Sequence, residues 1–175
     1  MPTTISINRA SVLTLWASVV AQRLGFDEDE ALTLAKAVAG LNAQAKGPRL
    51  GIFKPDEEKA KKARERGPGE RFFIELLGRP VPATNTAGGI RAVRGRNPID
   101  PDGVRRYLED NFGDDLKAVR SAMRKLARAY RPQEFAHDAY PLYERFRPAI
   151  PEGKKGWGAK GDLDLGLIGR LAKEK

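Results

Sequence analysis

The hexapeptide GWGAKG, residues 156–161, has the glycine spacing of the G-x-G-x-x-G pattern that cradles phosphates in dinucleotide-binding folds. In those folds a buried strand precedes the glycines, and a helix and a second strand follow within one βαβ unit. Here two prolines and no strand pattern precede the loop, and only 14 residues follow Gly161. The next helix is predicted to begin with Asp162 and Asp164, whose carboxylates would repel a phosphate. We therefore do not interpret this stretch as a nucleotide site.

Two interpretations of this glycine-lysine loop remain, and they differ in the position of Trp157. In the first, Trp157 packs against helices and the loop is structural. In the second, Trp157 is exposed beside Lys154, Lys155 and Lys160, and it stacks on a base or inserts into a pocket of a partner. A Walker A site is excluded, because Ala159-Lys160 stands where a lysine followed by serine or threonine is required.

The strongest candidate for a functional surface is a helix predicted over residues 115–131. No acidic residue occurs between positions 116 and 131. With successive residues about 100° apart, one face of this helix is basic, and the apolar residues form a separate arc that can pack in a core. The basic residues are Lys117, Arg120, Arg124, Arg128 and Arg131, with Lys125 beside them. This face either neutralises nucleic-acid phosphates, or it is solvated or paired with acidic residues from elsewhere in the fold.

A second basic element is the sequence GGIRAVRGR, which is predicted to form a β-hairpin. It contains Arg91, Arg94 and Arg96. Strand alternation places Arg91 on the face opposite to Arg94 and Arg96, so the three side chains do not form one arginine ladder. They either extend the nucleic-acid surface or keep an exposed turn soluble.

Few residues in the chain could carry out catalysis or bind a metal ion. The sequence has no cysteine, and His137 is its only histidine. Asp138 follows His137 directly, so on a helix the two side chains point about 100° apart and do not form a catalytic pair. The DPDG sequence at residues 100–103 departs from a calcium loop and is interpreted as a turn and helix cap. We expect no catalytic residue, no metal ion and no cofactor.

The charge of the chain favours a polyanionic partner. The formal net charge is +9 over 175 residues and the isoelectric point is about 9.9. Residues 71–175 carry 21 basic and 14 acidic side chains, which accounts for +7 of the total. Composition alone does not distinguish nucleic acid from an acidic protein or an anionic membrane surface.

The N-terminal part of the chain, residues 1–53, is predicted to form a helical hairpin. Apolar residues recur at helical spacing over residues 12–24, with Asn8 or Ser11 as the N-cap. Asp27 and Glu30 form a capping box at the start of a second helix. The broad apolar stripe of the first helix favours homodimerisation or docking on a partner through residues 5–46.

The rest of the chain divides into a charged helical connector at residues 54–69 and a basic α+β region at residues 70–175. The second region begins with two or three short antiparallel strands and continues with three or four helices. One of these helices is predicted to run from Asp162 to about Lys173. The predicted fold class is therefore mostly helical α+β, and the three parts can all pack as one domain.

Three long segments of the chain resemble a family of small bacterial proteins without assigned function. They are SINRASVLTLWASVVAQRLGFDEDEALTLAKAVAGLNAQAKG, FGDDLKAVRSAM and LYERFRPAIPEGKKGWGAKGDLDL. The resemblance implies that the chain is one complete bacterial unit. It implies no activity, cofactor or catalytic residue.

The expected function is that of a non-enzymatic, cytoplasmic binding protein that contacts DNA or RNA through phosphates with weak sequence selectivity. The alternative is a protein-interaction or scaffold module. The apolar run Val12–Ala21 favours a core helix over a signal peptide, because its pattern continues in helical phase to Leu24 and Phe26. The uncharged stretch between Arg9 and Arg23 is too short for a transmembrane span.

Overall fold

The computed structural model describes residues 4–44, 70–148 and 160–174. Their arrangement confirms the predicted mostly helical α+β fold. The predicted connector at residues 54–69 lies outside the described residues. In chain order the elements are β1 (Thr4–Asn8), α1 (Arg9–Arg23), α2 (Glu28–Gln44), β2 (Arg71–Leu76), β3 (Arg79–Thr86), β4 (Gly89–Arg94), β5 (Asn97–Pro98), α3 (Pro101–Phe112), a 3-10 turn (Gly113–Asp115), α4 (Leu116–Arg128), α5 (Pro132–Phe146), β6 (Lys160–Asp164) and α6 (Leu165–Lys173).

Helix α1 lies at the centre of the core, where residues 11–21 are all buried. Trp16 is completely buried, and its indole Nε1 donates a hydrogen bond of 2.8 Å to the carbonyl of Ala139. The rings of Phe135 and Phe146 pack edge-to-face against the indole, with centroids 5.3 and 5.1 Å away. The apolar residues of α1 are therefore covered by other helices of the same chain.

The predicted caps of the N-terminal hairpin are confirmed. The side chain of Asn8 accepts a hydrogen bond of 2.7 Å from the backbone N–H of Ser11 at the start of α1. At the start of α2, Asp27 accepts from the backbone N–H of Glu30 and Glu30 accepts from that of Asp27, at 2.8 and 2.9 Å. The two helices pack against each other as an antiparallel pair.

The central part of the chain forms an antiparallel sheet with strand order β2-β3-β4-β5. The prediction of two or three strands found the first three and missed the two-residue strand β5. Strands β2 and β3 are joined by the turn Leu77-Gly78, in which both residues have positive φ angles of 53° and 75°. Such angles match a two-residue hairpin turn, and they are unusual for Leu77, which is buried.

A second sheet pairs β1 with β6 in antiparallel orientation, and the sequence did not predict it. Ile7 lies opposite Gly161, and Ser6 lies opposite Asp162. The predicted helix start at Asp162 is therefore wrong, because this residue belongs to a strand. Asp164 is the N-cap of α6, and its Oδ1 accepts from the backbone N–H groups of Gly166 and Leu167 at 2.8 and 3.3 Å.

The helices of the C-terminal half follow the predicted pattern with local differences. Asp100 caps α3, which confirms the helix cap predicted at residues 100–103, and Pro101 occupies the first turn. The helix predicted from residue 115 begins at Leu116, after the 3-10 turn Gly113–Asp115. Pro141 does not end α5, which continues to Phe146. Because proline has no N–H group, the carbonyl of His137 lacks its helical hydrogen bond at this point.

Buried side chains from α1, α2, the larger sheet and the C-terminal helices form one hydrophobic cluster. In the described part of the chain, every buried side-chain nitrogen or oxygen has a hydrogen-bond partner. None of the described helices has the length and apolar character that crossing a membrane requires.

Candidate nucleic-acid interface

Helix α4 presents the basic face that the sequence predicted over most of its length. Lys117, Arg124, Lys125 and Arg128 are exposed. The opposite side is anchored in the core by buried apolar residues, namely Leu116, Val119, Met123, Leu126 and Ala127. No ion pair links the four exposed cations to a carboxylate among the residues that the structure describes. Most of the face is therefore charged, solvated and available to an anion.

The placement of Arg131 on this face was wrong. Helix α4 ends at Arg128, and Arg131 is the residue before α5, with φ −70° and ψ 146°. The reason is local, because Pro132 follows and a residue before proline is disfavoured in helical conformation. Arg131 is exposed near the end of α4, but helical periodicity does not align it with the other cations.

Arg120 differs from the other α4 cations because its side chain is half-buried. Burial, followed by repulsion from Arg124, lowers the pKa of Arg120, whereas the nearby Glu28 and Glu109 act in the opposite direction. These carboxylates come from the start of α2 and from α3. The predicted alternative, a basic residue balanced by acids from elsewhere in the fold, therefore describes Arg120 better than it describes the exposed cations of α4.

Sequence reasoning missed Arg23, which joins the basic face from the last turn of α1. Its Nε donates a hydrogen bond of 3.3 Å to the carbonyl of Ala127, and its Nη2 donates one of 2.9 Å to the carbonyl of Tyr130. These bonds fix the guanidinium beside the C-terminal end of α4. The only signal in the sequence is a basic residue at the end of a helix, because nothing there predicts that α1 and α4 pack together.

Arg23, Arg124 and Arg128 line a shallow groove of about 210 Å³ between α1 and α4. The other residues of the groove are uncharged: Val19, Gln22 and Ala127. The Nε of Arg128 donates to the carbonyl of Arg124 at 3.3 Å, which orients its side chain along the helix. We use the name α4 cation surface for Arg23, Lys117, Arg124, Lys125 and Arg128. Three guanidinium groups around one groove with no carboxylate in its lining suit the oxygens of a phosphate.

The hairpin arginines do not act as one group. Arg91 donates to the carbonyls of Ile90 and Gly88 at 2.8 and 3.1 Å, and it lies 4.0 Å from a carboxylate oxygen of Asp29. Only 11% of its side chain is exposed, so Arg91 has a structural role in the hairpin. Arg96 is exposed in the turn between β4 and β5.

Arg94 is exposed at the end of β4, where it lines a cavity together with Lys36 of α2. The predicted alternation therefore separates Arg91 from Arg94, but it does not extend to Arg96, which lies in a turn. The three arginines of the hairpin therefore have different surroundings. Arg91 is held by hydrogen bonds within the hairpin, Arg96 lies in a turn, and Arg94 lines a cavity.

An ion-pair cluster surrounds the first turn of α2, next to Arg91. Arg105 of α3 donates a hydrogen bond of 2.7 Å to Asp29 and also pairs with Asp102. The hydrogen bond to Asp29 is the main cause that raises the pKa of Arg105. Asp29 thus forms ion pairs with Arg91 from the sheet and with Arg105 from α3, so both arginines stabilise the fold.

The glycine-lysine loop lies mostly outside the described residues, and this includes Lys154, Lys155 and Trp157. Both interpretations of Trp157 therefore stay predictions. Lys160 is described as an exposed residue at the start of β6, where it pairs with Asn8 of β1. The N-terminal amides of α6 are occupied by Asp164, which supports the exclusion of a phosphate from that helix start.

The described residues contain no group of three or more histidine, cysteine or acidic side chains that could hold a metal ion. His137 is exposed on α5. Comparisons of the chain with protein-family models, with curated proteins and with solved structures find no match. The resemblance to a family of small bacterial proteins therefore stays a prediction, and the function has to be argued from the residues.

Proposed function

We propose that the protein is a non-enzymatic, cytoplasmic nucleic-acid-binding protein whose α4 cation surface contacts phosphates with weak sequence selectivity. The observation that carries this proposal is the groove in which Arg23 of α1 meets Arg124 and Arg128 of α4. Guanidinium groups bind phosphate oxygens through charge and paired N–H donors. Lys117 and Lys125, both exposed, extend the positive surface along the same helix.

The geometry supports contact with the backbone of the nucleic acid more than reading of its bases. Sequence is read by side chains that reach base edges in a groove, whereas phosphate contacts carry no direct sequence information. The α4 cations are anchored on a helix that is itself packed in the core, with Val119 and Met123 completely buried. Exposed cations on a helix whose apolar side is buried favour binding that depends strongly on salt and weakly on sequence.

The alternative, docking or dimerisation through residues 5–46, was based on the broad apolar stripe of the first helix, and packing within the chain now accounts for that stripe. The apolar residues of α1 are buried within the chain, and Leu32, Leu34 and Val38 of α2 are buried as well. We therefore do not carry this alternative forward.

The test is fluorescence anisotropy with labelled duplex DNA, single-stranded DNA and RNA at several salt concentrations, with heparin as a polyanion control. The wild-type protein is compared with the double variant R124E/R128E. We expect the double variant to lose binding. A charge-neutral double variant, R124Q/R128Q, should lower the salt slope by about 0.9 for each phosphate that is no longer neutralised. Circular dichroism checks that the variants remain folded.

The matched control is R106E, because Arg106 is an exposed arginine on helix α3, outside the α4 cation surface. R106E changes the net charge by the same amount as R124E, so it measures the effect of overall charge. Equal losses in R106E and R124E would assign binding to net charge alone. Unchanged affinity in R124E/R128E would overturn the proposal.

A further inference from the structure

A cavity unrelated to the α4 cation surface lies between α2, the β4–β5 hairpin and α3. It has a volume of about 520 Å³, and a second cavity of about 400 Å³ adjoins it. The two cavities share Lys36, Arg94, Ile99 and Tyr107 in their walls. Sites for small molecules in proteins have volumes of roughly 300–1,000 Å³, so the space is large enough for an organic ligand.

The walls of the larger cavity are mostly apolar. Ala37 and Leu41 of α2 contribute one side, and Val93, Ile99 and Pro82 contribute the side formed by the sheet and the segment after it. Helices and strands carry most of these residues, so the cavity has defined walls. An apolar molecule inside it would remove its own surface from water, and this burial would supply most of the binding energy.

Two cations converge on this apolar space. Lys36 is half-buried, and its Nζ lies 4.2 Å from the centre of the Tyr107 ring, which is a cation–π contact. Arg94, an exposed residue at the end of β4, lines the same cavity. Among the described residues, no carboxylate forms an ion pair with Lys36 or Arg94. Burial, followed by repulsion from Arg94, lowers the pKa of Lys36.

One carboxylate, Asp100, lines the adjoining cavity, but it already has a structural role. Its Oδ1 accepts a hydrogen bond of 3.0 Å from the backbone N–H of Asp102 as the cap of α3. The positive charge in the larger cavity therefore lacks a compensating negative charge among the described residues.

We propose that this cavity binds a small organic carboxylate, whose anionic group pairs with Lys36 and Arg94 and whose apolar body fills the space between α2 and the β4–β5 hairpin. A carboxylate fits better than a phosphate monoester, because a monoanion costs less to transfer into a mostly apolar space than a group with charge near −2. Two cations with no acidic partner among the described residues select against neutral and cationic molecules of the same shape.

The experiment uses decanoate and the neutral decan-1-ol as probes, with inorganic phosphate as a third ligand, and follows backbone amides of the full chain by NMR. We expect decanoate to bind at least about tenfold more tightly than decan-1-ol, because only decanoate pairs with the cations. The shifted amides should include Gly40, Val93 and Ile99. The ε-methylene resonance of Lys36 should titrate at a higher pH in the presence of decanoate.

The variant K36M keeps an unbranched side chain and removes the charge, so it should weaken decanoate binding about tenfold and leave decan-1-ol binding unchanged. The matched control is K117M on α4, which should bind decanoate like the wild type. Retained nucleic-acid binding in K36M would show that the two sites are separate. If decanoate and decan-1-ol bind equally, if phosphate competes with decanoate, or if K36M binds decanoate normally, the carboxylate site is overturned.

Discussion

The carboxylate of Glu30 connects the first turn of α2 to strand β4, because its Oε2 accepts a hydrogen bond of 2.9 Å from the backbone N–H of Ile90. Its other oxygen accepts from the backbone N–H of Asp27 at 2.9 Å, as the second half of the capping box. Thr33, almost one turn later on α2, accepts from the backbone N–H of Ala92 at 3.0 Å. Both N–H groups lie on the side of β4 that faces away from β3. Two side chains of α2 therefore accept hydrogen bonds from backbone N–H groups of β4 that are not bonded to a neighbouring strand.

Replacing Glu30 with alanine should lower the free energy of unfolding by about 2–4 kcal/mol, because two buried or half-buried backbone N–H groups lose their acceptor. The variant E30Q keeps one acceptor oxygen and should lose less. Urea denaturation measures the difference. The control D110A removes an exposed carboxylate and should stay within about 0.5 kcal/mol of the wild type. Equal effects of E30A and D110A would contradict the role of Glu30.

Gly89 has a φ angle of +120°, and a Cβ atom added there would lie 3.2 Å from the Oε2 of Glu30. We expect G89A to destabilise the protein by about 1–3 kcal/mol through backbone strain and displacement of the carboxylate. The control is G103A, since a Cβ added at Gly103 in α3 meets no atom within 4 Å. G103A should be neutral or stabilising by about 1 kcal/mol. The double variant E30A/G89A should lose less than the sum of the two single losses, because both substitutions act on the same carboxylate.

Replacing Trp16 with phenylalanine should cost about 2–4 kcal/mol, because it removes the hydrogen bond to Ala139 and leaves unfilled volume in the core. Since Trp16 packs within its own chain, the loss should be the same over about a hundredfold range of protein concentration. Thermal unfolding followed by circular dichroism measures this. The control F73T changes a side chain that is 72% exposed and should have little effect. A Tm of the wild type that rises with concentration would indicate an oligomer and contradict the expectation.

The lowered pKa of Lys36 predicts a pH effect of definite sign. Between that pKa and the ordinary lysine value of about 10.4, the unfolded chain binds more protons than the folded one. The stability of the wild type should therefore rise with pH relative to that of K36M in this interval. At pH values below this interval, removal of the half-buried charge should make K36M at least as stable as the wild type. The absence of the cation–π interaction with Tyr107 is the only effect that acts in the opposite direction. Urea denaturation of both proteins from pH 7 to pH 11 checks this, and a falling difference would refute it.

Arg23 allows the structural and the ligand-binding roles of one side chain to be separated. The variant R23K keeps the charge and removes the pair of hydrogen bonds to the carbonyls of Ala127 and Tyr130, so it should lower the free energy of unfolding by about 1–2 kcal/mol. R23Q removes the charge as well, and it should also reduce the salt slope of nucleic-acid binding by about 0.9. Equal salt slopes for R23K and R23Q would exclude Arg23 from the phosphate contacts.

The features that the sequence predicted correctly depend on neighbours within a few residues. The caps by Asn8, Asp27 and Asp100 were found because an N-cap contacts amides two or three positions later. The basic face of α4 was found because helical periodicity acts over one or two turns. Arg131 was misplaced because Pro132 ends that periodicity, although the proline was visible in the sequence.

The missed features depend on the packing of distant segments. Arg23 reaches carbonyls more than 100 positions away, and Glu30 binds the N–H of Ile90 60 positions away. Lys36 and Arg94 are likewise brought to one cavity only by the packing of α2 on β4. Periodicity and capping rules contain no information on which helix crosses which strand, so neither the groove nor the cavity could be predicted.

The pairing of β1 with β6 has a consequence for synthesis on the ribosome. Strand β1 is synthesised more than 150 residues before its partner residues Lys160–Asp164. Helix α1 is also synthesised before some of its packing partners, because Phe135 and Phe146, which pack on Trp16, come more than 100 residues later in the chain. The face of α1 that carries Trp16 therefore stays without these partners until they have been synthesised, and chaperones that bind apolar segments have access to it during that time.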